Sequence, residues 1–212
     1  MVNFLEAVKK ARDVAKPRKF KQSFDLQIGL KKIDLTKPEN QLKLVIDLPH
    51  KIRDPKICAF VDKELALKAK EVFSKVILPD EMSDYDRKVM KKLAKGYDFF
   101  VAQANLMSKV ATTFGKVLGP KGKMPDPKMG AVLSPSTDLQ KVKDRLSSVV
   151  RVSVKKSPVI NCKIGTEDMS DEAVADNASA VYEAVKKALP LGSDQIKHVY
   201  VKLTMGKSVM VV

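Results

Sequence analysis

The sequence predicts a chain of mixed α/β and α+β class in two domains. A discontinuous α+β sandwich domain, residues 1–52 and 150–212, is interrupted by an inserted Rossmann-like three-layer α/β domain, residues 53–149. Three observations carry this. Towards both ends apolar and polar residues alternate with the period of a strand that buries one face. Between them, short continuous apolar runs alternate with helical stretches, as in a parallel sheet covered on both faces. After Val149 the alternation returns, so the simplest account joins the first and last segments into one domain with the middle inserted.

In chain order, Phe4, Leu5, Val8, Ala11 and Val14 recur at helical spacing until Pro17 stops them. In "SFDLQIGLK" the residues Phe24, Leu26, Ile28 and Leu30 form the buried set, and in "QLKLVIDL" it is Leu42, Leu44, Ile46 and Leu48. The turn chemistry of "DLTKPEN" between them predicts an antiparallel pair. The insert reads as strand "KICAFV", helix "DKELALKAKEVF", strand "KVIL", a helix starting near Ser83, strand "DFFVAQ", a helix from Asn105 to Leu118, a glycine-proline loop and the helix "TDLQKVKDRL". The last segment reads as strands "VVRVSVK" and "VINCKI", a helix starting near Ser170, and the strand "IKHVYVKL".

With 212 residues and 44% apolar content the chain can bury a core, and no run is long enough to span a bilayer. Its 40 Lys and Arg against 25 Asp and Glu give a net charge of +15, which attracts polyanions. The densest basic cluster is Lys16, Arg18, Lys19 and Lys21. Cys58 and Cys162 each sit in an apolar segment and read as buried, reduced thiols, pointing to a reducing compartment. Only His50 and His198 are present, and no Cys-x-x-Cys, so neither a metal site nor another cofactor is expected. No Ser/His/Asp arrangement stands out. The acidic clusters "TEDMSDEAVAD" and "DEMSDYDRK" read as helix N-termini and not as a catalytic pair.

Three stretches carry the chemistry. In "LGPKGKMPDPKMG" the Gly-Lys of Gly122 and Lys123 is followed by Met124 and Pro125, so the magnesium-binding hydroxyl of a nucleotide loop is missing and prolines remove N–H donors. A rigid basic loop offering Lys121, Lys123 and Lys128 to RNA or to a protein surface, or a purely structural turn, fits better. In "YVKLTMGKSVMVV" the strand turns at Thr204, Met205 and Gly206, either as a corner that meets RNA or as a hairpin whose methionine enters the core. In "RKFKQSFDLQ" the outward side of the strand shows Ser23, Asp25 and Gln27. A carboxylate in a basic region repels phosphate, and it makes sense if it accepts hydrogen bonds from a 2′-OH or a guanine edge. With no Trp and 6% aromatics, a base-stacking platform is not expected, and recognition falls to phosphates, 2′-hydroxyls and RNA shape.

Together "KFKQSFDLQ", "DLPH", "LGPKGKMPDPK" and "YVKLTMG", in this order over nearly the whole chain, resemble the archaeal branch of the large-subunit ribosomal protein one family. The resemblance implies a cytoplasmic ribosomal protein, monomeric when free, with no enzymatic activity and no membrane partner. It implies a discontinuous domain that binds a folded large-subunit rRNA site in the mobile stalk by the exit site. It implies contact with exit-site tRNA and other ribosomal components, assistance in releasing deacylated tRNA, and repression of its own mRNA through a similar RNA structure. Carried over by motif, the RNA-binding residues are Lys19, Phe20, Ser23, Asp25, Lys156, Ser157, Thr204, Met205 and Gly206, with Lys121, Lys123 and Lys128 as a secondary contact. Two positions depart from the family: Lys207 stands where proline often follows the Thr-Met-Gly corner, and Asp25 where bacterial relatives tend to have glutamate.

Two rival readings make different demands. A nucleotide-dependent enzyme using the insert needs a glycine-rich turn after "KICAFV", where "DKELALK" enters a helix directly. A DNA-binding regulator would lose nothing when 2′-hydroxyls are absent.

Overall fold

The computed structural model of the chain describes residues 3–35, 41–154 and 157–211. Most of the expected "DLTKPEN" turn and Lys156 lie outside the described residues. The elements in chain order are α1 (Phe4–Asp13), β1 (Ser23–Leu30), β2 (Lys43–Asp47), β3 (Ile57–Phe60), α2 (Lys63–Val72), β4 (Lys75–Ile77), α3 (Arg87–Gly96), β5 (Phe99–Gln103), α4 (Met107–Leu118), β6 (Val132–Leu133), α5 (Leu139–Ser148), β7 (Val149–Ser153), β8 (Val159–Thr166), α6 (Asp171–Ala188), β9 (Ile196–Leu203) and β10 (Val209–Met210). They gather into two compact units, one of Met1–Arg53 with Ser148–Val212 and one of Asp54–Ser147. None of the described helices is long and apolar enough to cross a membrane.

The first unit is built on an antiparallel sheet of order β10-β9-β1-β8. Its buried side is the alternation read from sequence: Phe24, Leu26, Ile28 and Leu30 on β1, Ile160, Cys162 and Ile164 on β8, and Val199, Val201 and Leu203 on β9. Helices α1 and α6 supply the matching residues, with the Phe4 and Tyr182 rings edge to face at 5.7 Å. Asn3 caps α1 by accepting from the Glu6 N–H, and Ser170 caps α6 by accepting from the Ala173 N–H. Arg12 ties α1 to the β8–α6 connection. Its guanidinium donates to Asp171 Oδ1 at 2.9 Å and to the Glu167 and Met169 carbonyls at 2.7 and 2.9 Å.

The expected pairing of β1 with β2 does not occur. Both edges of β1 are taken, by β8 on one side and β9 on the other, and β2 pairs instead with β7 in a separate two-stranded sheet. Eight-residue partners on each side satisfy the full ladder of β1, which the five-residue β2 could not. The "DLPH" motif ends in a turn fixed to α6: buried Asn177 accepts from the His50 N–H at 3.0 Å and donates to the His50 and Ile164 carbonyls.

The second unit is an all-parallel sheet of order β4-β3-β5-β6. All four β3 residues are buried, as a strand covered on both faces requires. Phe60, Phe100 and Phe114 pack together on the side covered by α3 and α4. The buried residues of α2, Leu65, Ala66 and Ala69, do not belong to that cluster, as expected if the right-handed crossover from β3 to β4 carries α2 over the other face. The helix expected near Ser83 starts later. Glu81–Asp84 forms a single 3-10 turn, and α3 begins at Arg87 with Asp86 as its cap.

Candidate nucleic-acid interface

One side of the first unit's sheet carries helices; the other carries the polar half of each strand. The register sets these residues in cross-strand rows. Asp25 stands between Lys163 and Lys202, and Gln27 between Asn161 and Tyr200. Gly29 faces His198, whose ring lies 5.8 Å from that of Tyr200. A Cβ at Gly29 would sit 3.3 Å from that imidazole, so the glycine makes room for it. Asp25, Gln27, Asn161, Lys163 and Lys202 line a shallow open groove of about 400 Å³. Partial burial raises the Asp25 pKa above its ordinary value of 3.8, and the nearby Lys202 and Lys163 ammoniums pull against that rise without overcoming it. Among the described residues no donor bonds the Asp25 carboxylate. The free chain therefore holds a carboxylate with unused acceptor capacity in a cationic row.

Ser23 and Thr204, 181 positions apart in sequence, meet at the end of the sheet. The Thr204 N–H donates to the Ser23 carbonyl at 3.0 Å, and the Ser23 N–H donates to Thr204 Oγ1 at 3.1 Å. The Thr204 hydroxyl in turn lies 3.2 Å from the Ser23 carbonyl. Much of that hydroxyl's bonding capacity is thus spent on closing the corner. Gly206 donates to the Leu203 carbonyl at 2.9 Å, and a Cβ on it would meet Leu203 Cβ at 3.3 Å, so close approach is what favours glycine there. Met205, at the tip, is 57% exposed, which excludes the version of the hairpin whose methionine enters the core. Phe20 is likewise 52% exposed, in the loop before β1.

Sequence reasoning missed the residue that holds this corner. Gln22 is 1% exposed. Its side-chain carbonyl accepts from the Met205 N–H at 3.1 Å, its amide donates to the Lys16 carbonyl, and its backbone exchanges bonds with Glu167. The signal was present: Gln22 has the parity of Phe24, Leu26 and Ile28, so an amide there must point inward and find partners. Lys19 and Lys21 are exposed beside it, and Lys21 forms a surface ion pair with Asp168 at 2.8 Å. Ser157 is not at this corner. It is exposed beyond the far end of β8, whose Val159 faces Gly29 while Thr166 faces Ser23, about 20 Å along the strand at ~3.4 Å per residue.

The three lysines of the glycine-proline loop separate. Lys123 spends its ammonium on the carbonyls of Ala94 and Tyr97, at 3.0 and 2.7 Å, closing the C-terminal end of α3. Lys121 lies over the same helix and reaches the Lys91 carbonyl at 3.4 Å, and Lys128 is exposed in a turn capped by Asp126. Gly122 and Gly130 take positive φ, while Pro125 and Met129 are buried, so the loop is folded onto its own unit. The N-terminus of α2, where a dinucleotide pyrophosphate would sit, is capped by the Asp62 carboxylate, which accepts from the Lys63 N–H at 2.8 Å and would repel phosphate. Burial pushes both Cys58 and Cys162 thiols up to about 12, leaving them protonated and inert.

Fold and surface thus define a two-unit mixed α/β protein whose conspicuous feature is a basic, hydrogen-bonding sheet face. Residues 8–207 match the model of the Ribosomal protein L1p/L10e family. Similar relatives are proteins named large ribosomal subunit protein uL1. The one from Thermococcus kodakarensis is 43% identical over 211 residues, covering 98% of this chain and 95% of the relative. That from Methanothermobacter thermautotrophicus is 43% identical over 212 residues, with 98% of each covered, and that from Methanothermococcus thermolithotrophicus is 41% identical over 207 residues, with 96% and 95% covered. The chain belongs to the Ribosomal protein L1p/L10e family, and is a ribosomal protein and not an enzyme.

Proposed function

We propose that this chain is a component of the large ribosomal subunit in the cytoplasm and binds a folded rRNA site of the stalk near the exit site through the open sheet face and the Thr204–Gly206 corner. In this reading residues 1–52 and 150–212 are the RNA-binding domain and 53–149 the insert. The observation that carries it is the closed Ser23–Thr204 corner, held from inside by Gln22, which presents Met205 on a fixed backbone beside outward Ser23 and Asp25. Lys19, Lys163 and Lys202 supply attraction that falls with salt. The Asp25 carboxylate and the corner supply short contacts to 2′-hydroxyls and base edges, which salt screens less. Contact with exit-site tRNA during release, and repression of the chain's own mRNA, extend the same chemistry to other folded RNAs.

A hydroxyl-radical footprint of the protein on large-subunit rRNA tests this. Protection of one compact folded region, lost when duplex DNA of equal length replaces the RNA, is the expected result. Diffuse protection across the rRNA, or equal affinity for the DNA, would rule the reading out in favour of a charge-driven binder.

A further inference from the structure

The second unit carries a surface of different character on α3 and α4. We infer that the groove between these helices is an additional RNA-binding surface, one that takes the phosphate backbone of an RNA duplex by charge alone. Arg87, Lys91, Lys92, Lys95, Lys116 and Lys121 line a groove of about 320 Å³, floored by Val117 and Pro120, with no acidic side chain in its lining. All six basic residues are exposed. Arg87, Lys91 and Lys95 follow one another at four-residue steps, a row of positive groups about 6 Å apart along the helix axis.

The local cost of this arrangement is what marks it out. Helix α3 has five basic residues, Arg87, Lys88, Lys91, Lys92 and Lys95, and no acidic one, so its four-residue neighbours repel one another. Helix α2 of the same unit mixes Lys63, Lys68 and Lys70 with Glu64 and Glu71, as a merely solvated helix does. Among the described residues, no carboxylate pairs with the groove's basic side chains. An external polyanion would relieve the repulsion. Two small aliphatic residues in the floor give an acidic protein segment little to anchor on. The lining also lacks the amides and hydroxyls that read base edges. Ammonium point charges on flexible stems suit a phosphate backbone of any sequence. The inference rests on the chain's working within an RNA assembly, and adds a second, sequence-blind surface to the first.

The test uses the full chain and two probes: a perfect RNA duplex without loops, and a fragment of large-subunit rRNA carrying the footprinted site. Lys91→Gln/Lys95→Gln/Lys116→Gln should lower duplex affinity at least about tenfold near 0.1 M salt and reduce the slope of log affinity against log salt by two to three, about one for each phosphate no longer neutralised. Arg87→Gln/Lys121→Gln is the second variant and should shift both quantities in the same direction. Circular dichroism should show both variants folded, because each removes like-charge neighbours from exposed positions. Duplex affinity and slope equal to the unchanged protein in either folded variant overturns the inference, as does tighter binding of polyglutamate than of the duplex at equal charge concentration, which would mark an acidic protein partner. Met205→Asp separates the two surfaces. It should spare duplex binding while weakening the rRNA fragment, and an undiminished fragment affinity would count against the sheet-face reading and leave the groove standing.

Discussion

The outward side of β1 and the outward side of α3 both face solvent and both lie among lysines, yet they are assembled differently. On β1 an aspartate, an amide and a hydroxyl alternate along the strand, and the lysines arrive from neighbouring strands, Lys163 on one side and Lys202 on the other. On α3 the basic residues follow one another along a single helix with nothing of opposite sign among them. Both surfaces would attract a polyanion, but only the first could reject one. Its carboxylate repels a bare phosphate and gains only where a hydroxyl or amine donor is offered in the right place. Positive charge sets the salt-dependent part of affinity; the negative and neutral groups set within it determine discrimination.

The largest way to break this contrast is at the corner. Met205→Asp puts a charge on an exposed tip whose backbone is held by Gln22, so the fold should survive with an unchanged melting temperature. Bound RNA would bury that charge against phosphate. Affinity for the rRNA fragment in a filter-binding assay should fall by roughly 100-fold or more, the cost of an unpaired charge in an interface being about 3 kcal/mol or above. A loss below fivefold would move the binding surface elsewhere.

Asp25 sharpens the contrast, because its effects on stability and on binding should have opposite signs. Its pKa in the folded chain is raised, mainly by burial, with Lys202 and Lys163 opposing. The folded state therefore holds the proton to higher pH than the unfolded state, and stability falls as pH rises from the ordinary value of 3.8 through the folded one. Asp25→Asn should raise the melting temperature at pH 7, and the gain should fade when the pH is brought below 3.8, where both states are protonated. The same change should weaken rRNA-fragment binding by roughly 1 to 3 kcal/mol, because an RNA donor loses its charged acceptor. A variant that is both less stable and equally tight would show Asp25 to be a structural residue.

Much of this was legible in the sequence, for a reason specific to each part. The core of β1, β8 and β9 was readable because a strand with one buried face writes its burial as alternation, and the parallel sheet of the second unit because a doubly covered strand such as β3 is apolar throughout. The pairing of strands was less so. Turn residues after β1 suggested a hairpin with β2, but which strand occupies an edge depends on competition with β8 and β9, more than a hundred residues away. The corner at Thr204 was visible as a turn, while its bond to Ser23 follows from topology. Gln22 was less legible because a polar residue at the end of an inward row reads as the end of the row, and the α3–α4 groove because its basic residues, from Arg87 to Lys121, are far apart in sequence and meet only when the helices pack.

Lys123 gives the smallest effect and the finest test, since it separates a lysine used inside the protein from lysines offered to a partner. It shares a loop with Lys121, yet its ammonium is bound to two carbonyls at the end of α3, where positive charge also favours the helix dipole. Lys123→Gln should therefore reduce stability by about 1 kcal/mol, a fall of a few degrees in melting temperature. For duplex RNA the change should be smaller than that of either groove variant, because an ammonium satisfied by backbone carbonyls has less to give to a phosphate. If Lys123→Gln left the melting temperature untouched and cost as much duplex affinity as Arg87→Gln/Lys121→Gln, the loop would belong with the groove as a binding element, and the boundary between scaffold and charge would have to move.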